Sequence, residues 1–251
     1  MKTVLITGCS SGFGLEIAKY FLDHRWSVVA TMRTPNEDVL PKSEHLRILK
    51  LDVTDAESIR RAVDEAGPVD VLVNNAGVGM LGPFESISMN AIREVFETNT
   101  FGTMALTQAV LPQFRTRKAG VIINVTSSVT LKALPLLSVY TASKAAIVAF
   151  TESLALELKA FNVRVGVVLP GMAPETAFAA NAGPRIMQNF PEDYAAGMKA
   201  VLSGFEHYDG LVTHATDVAQ AVWRVAQDGS TDFRIPAGAD AVELFGQIVS
   251  R

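Results

Sequence analysis

The sequence predicts a single-domain α/β fold, a doubly wound parallel sheet with helices on both faces, and three observations predict it. Short apolar runs of strand length recur along the chain. They are continuous rather than alternating, which marks strands buried on both faces. Segments with apolar residues at helical spacing separate them, the order that produces parallel strands joined by crossover helices. A glycine-rich turn, Gly8 to Gly14, links the first strand to the first helix. At 251 residues, 49% hydrophobic and 19% charged, the chain can bury one large core.

The elements follow in order. Val4–Thr7 is the first strand, and Leu15, Ile17, Ala18, Phe21 and Leu22 then recur at helical spacing up to His24. Trp26–Met32 and Leu46–Leu51 are the next strands. Ala56–Ala66 is a helix closed by the breaker pair Gly67-Pro68. Val69–Val73 is the fourth strand. Ser88 to Lys118 reads as helix, with a bend expected around Gly102 and Pro112. Val121–Val125 is the fifth strand, Ser138–Ala160 a long apolar helix and Val163–Leu169 the sixth strand. Thr216–Gln227 is a helix with Thr216 and Asp217 as its caps. Phe233–Pro236 and Ala241–Val249 complete the chain as strand and helix. The segment 173–210 carries four glycines and three prolines among apolar residues, and it reads as a substrate loop or lid within the domain, with an ordinary surface excursion as the alternative.

Charge and composition exclude several classes. The net charge is −4 and no Lys/Arg run occurs, so no nucleic-acid partner is expected. Met1 leads straight into an apolar strand without a basic region and cleavage site, and no apolar stretch has the length of a membrane span. A cytoplasmic protein with no membrane partner is therefore expected. Cys9 is the only cysteine, so no intrachain disulfide forms. The four histidines show no metal-ligand spacing, and no metal is expected.

The loop Thr7-Gly8-Cys9-Ser10-Ser11-Gly12-Phe13-Gly14 sits between strand and helix. Its glycines allow a tight turn and close approach to a pyrophosphate, and the helix N-terminus offers free N–H groups and partial positive charge. An acidic residue ending the second strand would bond the adenosine ribose and repel a 2′-phosphate. Met32 stands there instead, followed by Arg33, whose guanidinium can clamp a phosphate, and Ser10 or Ser11 can add a hydroxyl. NADP(H) is expected over NAD(H); the alternative is that Arg33 is only a solvated charge.

Tyr140 and Lys144 lie four positions apart at the start of the long helix, so both project from one face. An ordinary tyrosine titrates near ~10, too high for a proton shuttle at neutrality, and a nearby ammonium is expected to lower that value. Ser127 lies thirteen positions before Tyr140, just after the fifth strand, where parallel sheets bind ligands. Ser128 and Thr126 are its rivals by adjacency, and the spacing favours Ser127.

These residues carry a resemblance. The chain resembles the short-chain dehydrogenase/reductase family from Thr3 to about Thr176. The motifs are Thr7-Gly8-x-x-x-Gly12-x-Gly14, Asp52-Val53, Asn74-Asn75-Ala76-Gly77, Asn99, Ser127, Tyr140-x-x-x-Lys144 and Pro170-Gly171. The resemblance implies a Rossmann-type parallel sheet of about seven strands and hydride transfer between nicotinamide and a carbonyl or alcohol. It implies a catalytic tetrad of Asn99, Ser127, Tyr140 and Lys144. Asn99 would bend its helix and hold a water that links Lys144 to solvent. Asp52 would bond the adenine amino group with Val53 flanking the ring, and Asn75, Ala76 and Gly77 would pass beside the adenosine ribose. The loop residues Gly8, Ser10, Ser11, Gly12, Phe13 and Gly14 would cradle the pyrophosphate. Lys144 would also bond the nicotinamide ribose, and Pro170, Gly171, Met172 and Ala173 would lie against the nicotinamide. The family often has Thr five positions after that proline. Here Glu175 holds the position and Thr176 follows, so either one residue has been inserted or the carboxamide contact differs. The helices around Phe101–Lys118 and Ser138–Ala160 often form a subunit interface in the family, which implies a homodimer or homotetramer.

Met80, Leu81, Val129, Leu134, Met172, Phe178 and Tyr194 are expected to reach the substrate. Most are apolar, so the expected substrate is a small lipophilic ketone, aldehyde or alcohol, steroids and retinoids included. The general appearance is similar to the hydroxysteroid and retinol dehydrogenase branch and to bacterial carbonyl reductases. Two rival readings are a dinucleotide-sensing regulator without turnover and a halohydrin-type lyase. The intact tetrad argues against the first and the intact glycine loop against the second.

Overall fold

The computed structural model describes residues 1–176, 181 and 183–249. Its centre is a seven-stranded sheet: β1 (Thr3–Thr7), β2 (Ser27–Met32), β3 (Leu46–Lys50), β4 (Val71–Asn74), β5 (Gly120–Val125), β6 (Val163–Pro170) and β7 (Arg234–Ala237). The spatial order is β3-β2-β1-β4-β5-β6-β7, and every neighbouring pair is parallel. The order reverses between β1 and β4, and in open sheets of this kind ligands bind at the carboxyl ends of the strands beside such a reversal.

Helices cover both faces because the central strands are apolar on both. On β1, Val4 and Ile6 pack with Ile17 and Phe21 of α1 (Gly12–Asp23) and with Val218 and Val222 of α7 (Ala215–Gln227). The intervening Leu5 joins the opposite cluster, with Ile59 of α2 (Ala56–Ala66), Leu106 of α4 (Gly102–Arg117) and Leu154 of α5 (Ser138–Leu158). Side chains alternate across a strand, so a continuous apolar run supplies two cores at once. Two arginines close helix ends from a distance: Arg47 donates to the carbonyls of Glu65 and Ala66, and Arg164 to those of Val225, Ala226 and Asp228. Each satisfies carbonyls a helix C-terminus leaves open.

Several expectations are corrected. The segment 173–210 contains a helix, α6 (Ala195–Glu206). Gly197 and Gly204 lower its helix propensity, and Met198 is its only buried side chain among the described residues, so its apolar periodicity is faint. The long helix expected from Ser88 is α3 (Met89–Phe96) running into α4 through a π turn at Glu97–Phe101. The distortion thus lies ahead of Gly102, while Pro112 stays inside α4. Gly102 is needed for contact, since a Cβ there would come within 2.8 Å of Val53. The cap of α7 is His214, whose N–H donates to Asp217 at 2.8 Å; Thr216 lies within the helix. The final helix, α8, spans Ala239–Val249 and starts two residues earlier than expected.

Candidate active site

The glycine loop leaves the end of β1 at the sheet reversal. Gly8 and Gly12 have φ of +74° and +58°, a region in which a side chain is strained. Gly14 is required by contact: a Cβ there would lie 2.3 Å from the Gly8 carbonyl oxygen and 2.5 Å from Asn75 Nδ2. Ser11 makes no side-chain cap, so no side chain from that position takes the N–H groups that open α1. Among the described residues, a Cβ added to Gly12 would meet only Thr176, at 3.6 Å. A helix N-terminus beside these glycines suits a pyrophosphate. Cys9 is buried, and burial pushes its thiol up to about 12, so it takes no part in thiol chemistry at neutral pH.

Asn75 locks this loop to β4. Its backbone N–H and that of Ala76 both donate to Thr7 Oγ1 at 2.9 Å, and its Nδ2 donates to the Thr7 carbonyl at 2.9 Å. At the end of β2, Met32 is buried, with its sulfur accepting from the Asn36 N–H, while Arg33 is exposed. Asp52, just past β3, accepts from the N–H and hydroxyl of Thr54. These bonds, with Arg33 and Lys50 nearby, hold its carboxyl below the usual range. A buried methionine and an exposed guanidinium at the adenosine end fit a 2′-phosphate, which an acid at Met32 would repel.

Past β4 and β5, Asn99, Ser127, Tyr140 and Lys144 converge. Tyr140 and Lys144, on the first turns of α5, are both buried, and the Ser127 hydroxyl hydrogen-bonds that of Tyr140. Lys144 Nζ donates to the Val125 carbonyl at 3.2 Å. A Cβ added to Gly77 would lie 3.1 Å from that Nζ and 3.2 Å from Asn99 Oδ1, so Asn99 and Lys144 meet over the Asn-Asn-Ala-Gly strip. Asn99 sits in the π turn with its amide fully engaged. Oδ1 accepts from Val78 N–H at 2.8 Å, while Nδ2 donates to the Val78 carbonyl at 2.9 Å and to Ser143 Oγ at 3.0 Å. Ser143 in turn donates to the Tyr140 carbonyl at 2.7 Å. The expected lowering of the Tyr140 pKa is overturned: burial pushes it up to about 12, with the Ser127 hydroxyl only partly offsetting this. Burial also pushes Lys144 down to about 8. Desolvation is the leading cause at both groups, because both are removed from water.

Residues 2–186 match the short chain dehydrogenase family. The chain belongs to that family. Retinol dehydrogenase 8 of Bos taurus is 43% identical over 184 residues, 68% of this chain but only 58% of that protein. The 3-ketodihydrosphingosine reductase of Bacteroides thetaiotaomicron is 33% identical over 250 residues, 98% of this chain and 91% of that protein. Among solved structures, a short-chain dehydrogenase from Streptomyces avermitilis superposes with TM-score 0.84 at 30% identity, over 99% of this chain and 92% of the other. A serine dehydrogenase complexed with NADP+ superposes with TM-score 0.81 at 26% identity, over 95% of each chain.

In this short-chain dehydrogenase, Glu175 and Thr176 have separate tasks. Glu175 turns away from the glycine loop to His214 Nδ1 and the Ala215 N–H, both at 3.1 Å, and so caps α7. Thr176 faces Gly12 and donates its hydroxyl to the Ala173 carbonyl at 2.9 Å. The residue one position later than usual is thus the one that reaches the loop.

The expected substrate residues divide. Met80 is buried in a small core with Ile87, Val95 and Val139. Leu81 is buried and bridges to Ile186. Val129 and Met172 are half-buried, and Leu134 is exposed. Tyr194 hydrogen-bonds Glu85, which raises its pKa. Phe178 lies outside the described residues. The sequence placed Thr7 in the loop motif without a role of its own, and it did not single out Ser143. Ser143 could have been found from its place between Tyr140 and Lys144, whereas nothing in the spacing marks Thr7 as the acceptor for two backbone amides.

No helix among the described residues is long and apolar enough to cross a membrane.

Proposed function

We propose that this protein is an NADP(H)-dependent carbonyl reductase, working as an alcohol dehydrogenase in the reverse direction, on a lipophilic ketone, aldehyde or secondary alcohol. The observation that carries the reading is the hydrogen-bonded Ser127–Tyr140 hydroxyl pair, buried beside Lys144, whose ammonium faces the Gly77 strip that Asn75 ties to the glycine loop. Reduced nicotinamide, when bound, supplies the hydride. Ser127 and Tyr140 hold the substrate oxygen by donating hydrogen bonds to it. With its pKa near 12, Tyr140 keeps its proton at neutral pH and gives it to the oxygen as negative charge develops there. Lys144, mostly protonated at neutral pH with a pKa near 8, passes a proton toward Tyr140. Asn99 holds the π turn against Val78, which keeps Lys144 and the Gly77 strip in register. Names among the relatives, a retinol dehydrogenase and a ketodihydrosphingosine reductase, support a lipophilic substrate. We read 173–210 as the substrate loop of a single catalytic domain.

The test is NADPH oxidation followed by absorbance over a panel of aromatic, aliphatic and steroid ketones, with NADH in parallel. Steady oxidation of NADPH with a lipophilic ketone supports the reading. Measurable dinucleotide binding with no turnover across the panel supports a sensor instead. Arg33→Ala is expected to raise KM for NADPH about 10- to 100-fold and leave KM for NADH nearly unchanged, the scale of one charge-assisted phosphate bond. An unchanged NADPH/NADH ratio would mean that Arg33 is only a solvated charge.

The same reading includes a homodimer or homotetramer formed through α4 and α5. Phe101, 52% exposed, adjoins a groove lined by Met104, Leu111, Phe150 and Leu154. Sedimentation of Phe101→Glu is expected to show smaller species than the parent protein.

A further inference from the structure

Behind the Pro170–Gly171 strip lies a set of polar bonds that neither the tetrad nor the glycine loop uses. β6 ends at Pro170, whose last ladder partner is Ala237 of β7, so the following residues leave the sheet. They are nonetheless tied at three backbone groups. The Gly171 N–H donates to Thr213 Oγ1 at 2.9 Å, the Met172 N–H donates to Asp240 Oδ2 at 2.6 Å, and the Met172 carbonyl accepts from the Thr213 N–H at 2.7 Å. Thr213, from the loop before α7, is fully buried, and Asp240 lies in the first turn of α8. The two side chains are also joined to each other. The Thr213 hydroxyl faces Asp240 Oδ1 at 2.6 Å and the Ala237 carbonyl at 2.9 Å. It has one proton, and the nearer, charged acceptor takes it.

Space around this group is as specific as its bonding. A Cβ on Gly171 would lie 2.0 Å from Asp240 Oδ2. A Cβ on Gly238, which has φ of +95°, would lie 2.0 Å from Thr213 Oγ1. Glycine at both positions lets the carboxylate and hydroxyl reach the strip from behind.

We propose that Asp240 and Thr213 are positioning residues that fix the Gly171–Met172 backbone, and through it the orientation of the nicotinamide. The proposal rests on the dinucleotide reading above. Proline at the strand end donates no hydrogen bond, and the sheet ladder stops there. Without the clamp, the Gly171 and Met172 N–H groups have no described partner, and the strip can shift relative to Tyr140.

The chemistry of the clamp predicts which substitutions break it. Asp240→Ala leaves the Met172 N–H without its acceptor, and Thr213→Val does the same to the Gly171 N–H. Asp240→Asn preserves both bonds. Its Oδ1 accepts from Met172, its Nδ2 donates to Thr213 Oγ1, and the threonine proton turns to the Ala237 carbonyl. Thr213→Ser keeps the hydroxyl.

The experiment measures three quantities on these four variants. They are amide hydrogen exchange of the peptide holding Gly171 and Met172, NADPH binding by fluorescence, and the fidelity of deuterium transfer from NADPH labelled at one face of C4. Asp240→Ala and Thr213→Val are expected to speed exchange, weaken NADPH binding about 10-fold and lower facial fidelity, while Asp240→Asn and Thr213→Ser stay within about threefold of the parent. Faster exchange in Asp240→Ala and Thr213→Val, with NADPH affinity and fidelity unchanged, would overturn the positioning role and leave a structural staple. Failure of the parent protein to bind NADPH would overturn the dinucleotide reading and the positioning role with it, while parental binding with unaffected variants would overturn the clamp alone.

Discussion

Tyr140→Phe is expected to lower kcat for carbonyl reduction by roughly 10²- to 10⁴-fold, the usual contribution of a positioned general acid, while NADPH affinity stays nearly unchanged. The substitution removes one oxygen and keeps the ring, which is buried beneath the active-site surface, so packing is preserved. The lost group is both a hydrogen-bond donor to the substrate oxygen and its proton source. Ser127 remains to hold that oxygen, so the KM for the ketone should rise much less than kcat falls. Single-turnover absorbance at saturating NADPH checks this directly. A variant turning over at close to the parental rate would mean that the proton comes from elsewhere and that the Ser127–Tyr140 pair is structural.

Lys144→Met is expected to act in two opposite directions: turnover falls, and stability at neutral pH rises. Burial takes the Lys144 pKa from 10.5 to about 8. At 1.36 kcal/mol per unit, that shift amounts to at most about 3 kcal/mol against the folded state when the ammonium is charged. Below pH 8 the folded and unfolded chains both carry the proton, and the penalty is complete. Between about pH 8 and 10.5 the unfolded chain binds more protons than the folded one, so stability rises with pH and the penalty is relieved. Methionine keeps an apolar stem of similar length and carries no charge. It also loses the bond to the Val125 carbonyl, at a cost of about 1 kcal/mol, so a net gain of about 2 kcal/mol is expected at pH 7. Urea denaturation at pH 7 and pH 9.5 tests this. The variant should be the more stable at pH 7, and the gap should narrow at pH 9.5. Tyr140 acts in the opposite sense, but its raised pKa removes stability only from about pH 10 to 12, above that window. If the variant were less stable than the parent at pH 7, burial would not be what sets the Lys144 titration.

These two residues also show the limits of sequence reasoning. Their four-residue spacing places them on one face of a helix, and that much is visible in the chain. The sign of the tyrosine shift is not. An ammonium nearby argues for a lower pKa, but both groups are withdrawn from water, and desolvation dominates. Asn99 is similar: its place in a motif suggests a bent helix, but the π turn exists because its amide is held between both backbone groups of Val78. The helix Ala195–Glu206 was missed because its glycines and single buried methionine leave little periodic signal.

The sequence by itself determined the alternation of strands and helices, the glycine turn after the first strand and the placement of Tyr140 and Lys144 on one face of a helix. Each of these depends on local spacing: apolar period, glycine position, or side chains one helical turn apart. The tertiary structure alone decided that Thr176 rather than Glu175 meets Gly12, and that Glu175 serves His214 instead. It alone brought Asp240 to the amide of Met172 across 68 residues of chain. Contacts of that kind arise when strand ends from distant parts of the chain meet at one edge of the sheet. Depth from water, which sets the titration of Tyr140 and Lys144, arises in the same way, because it belongs to the packed whole rather than to any segment.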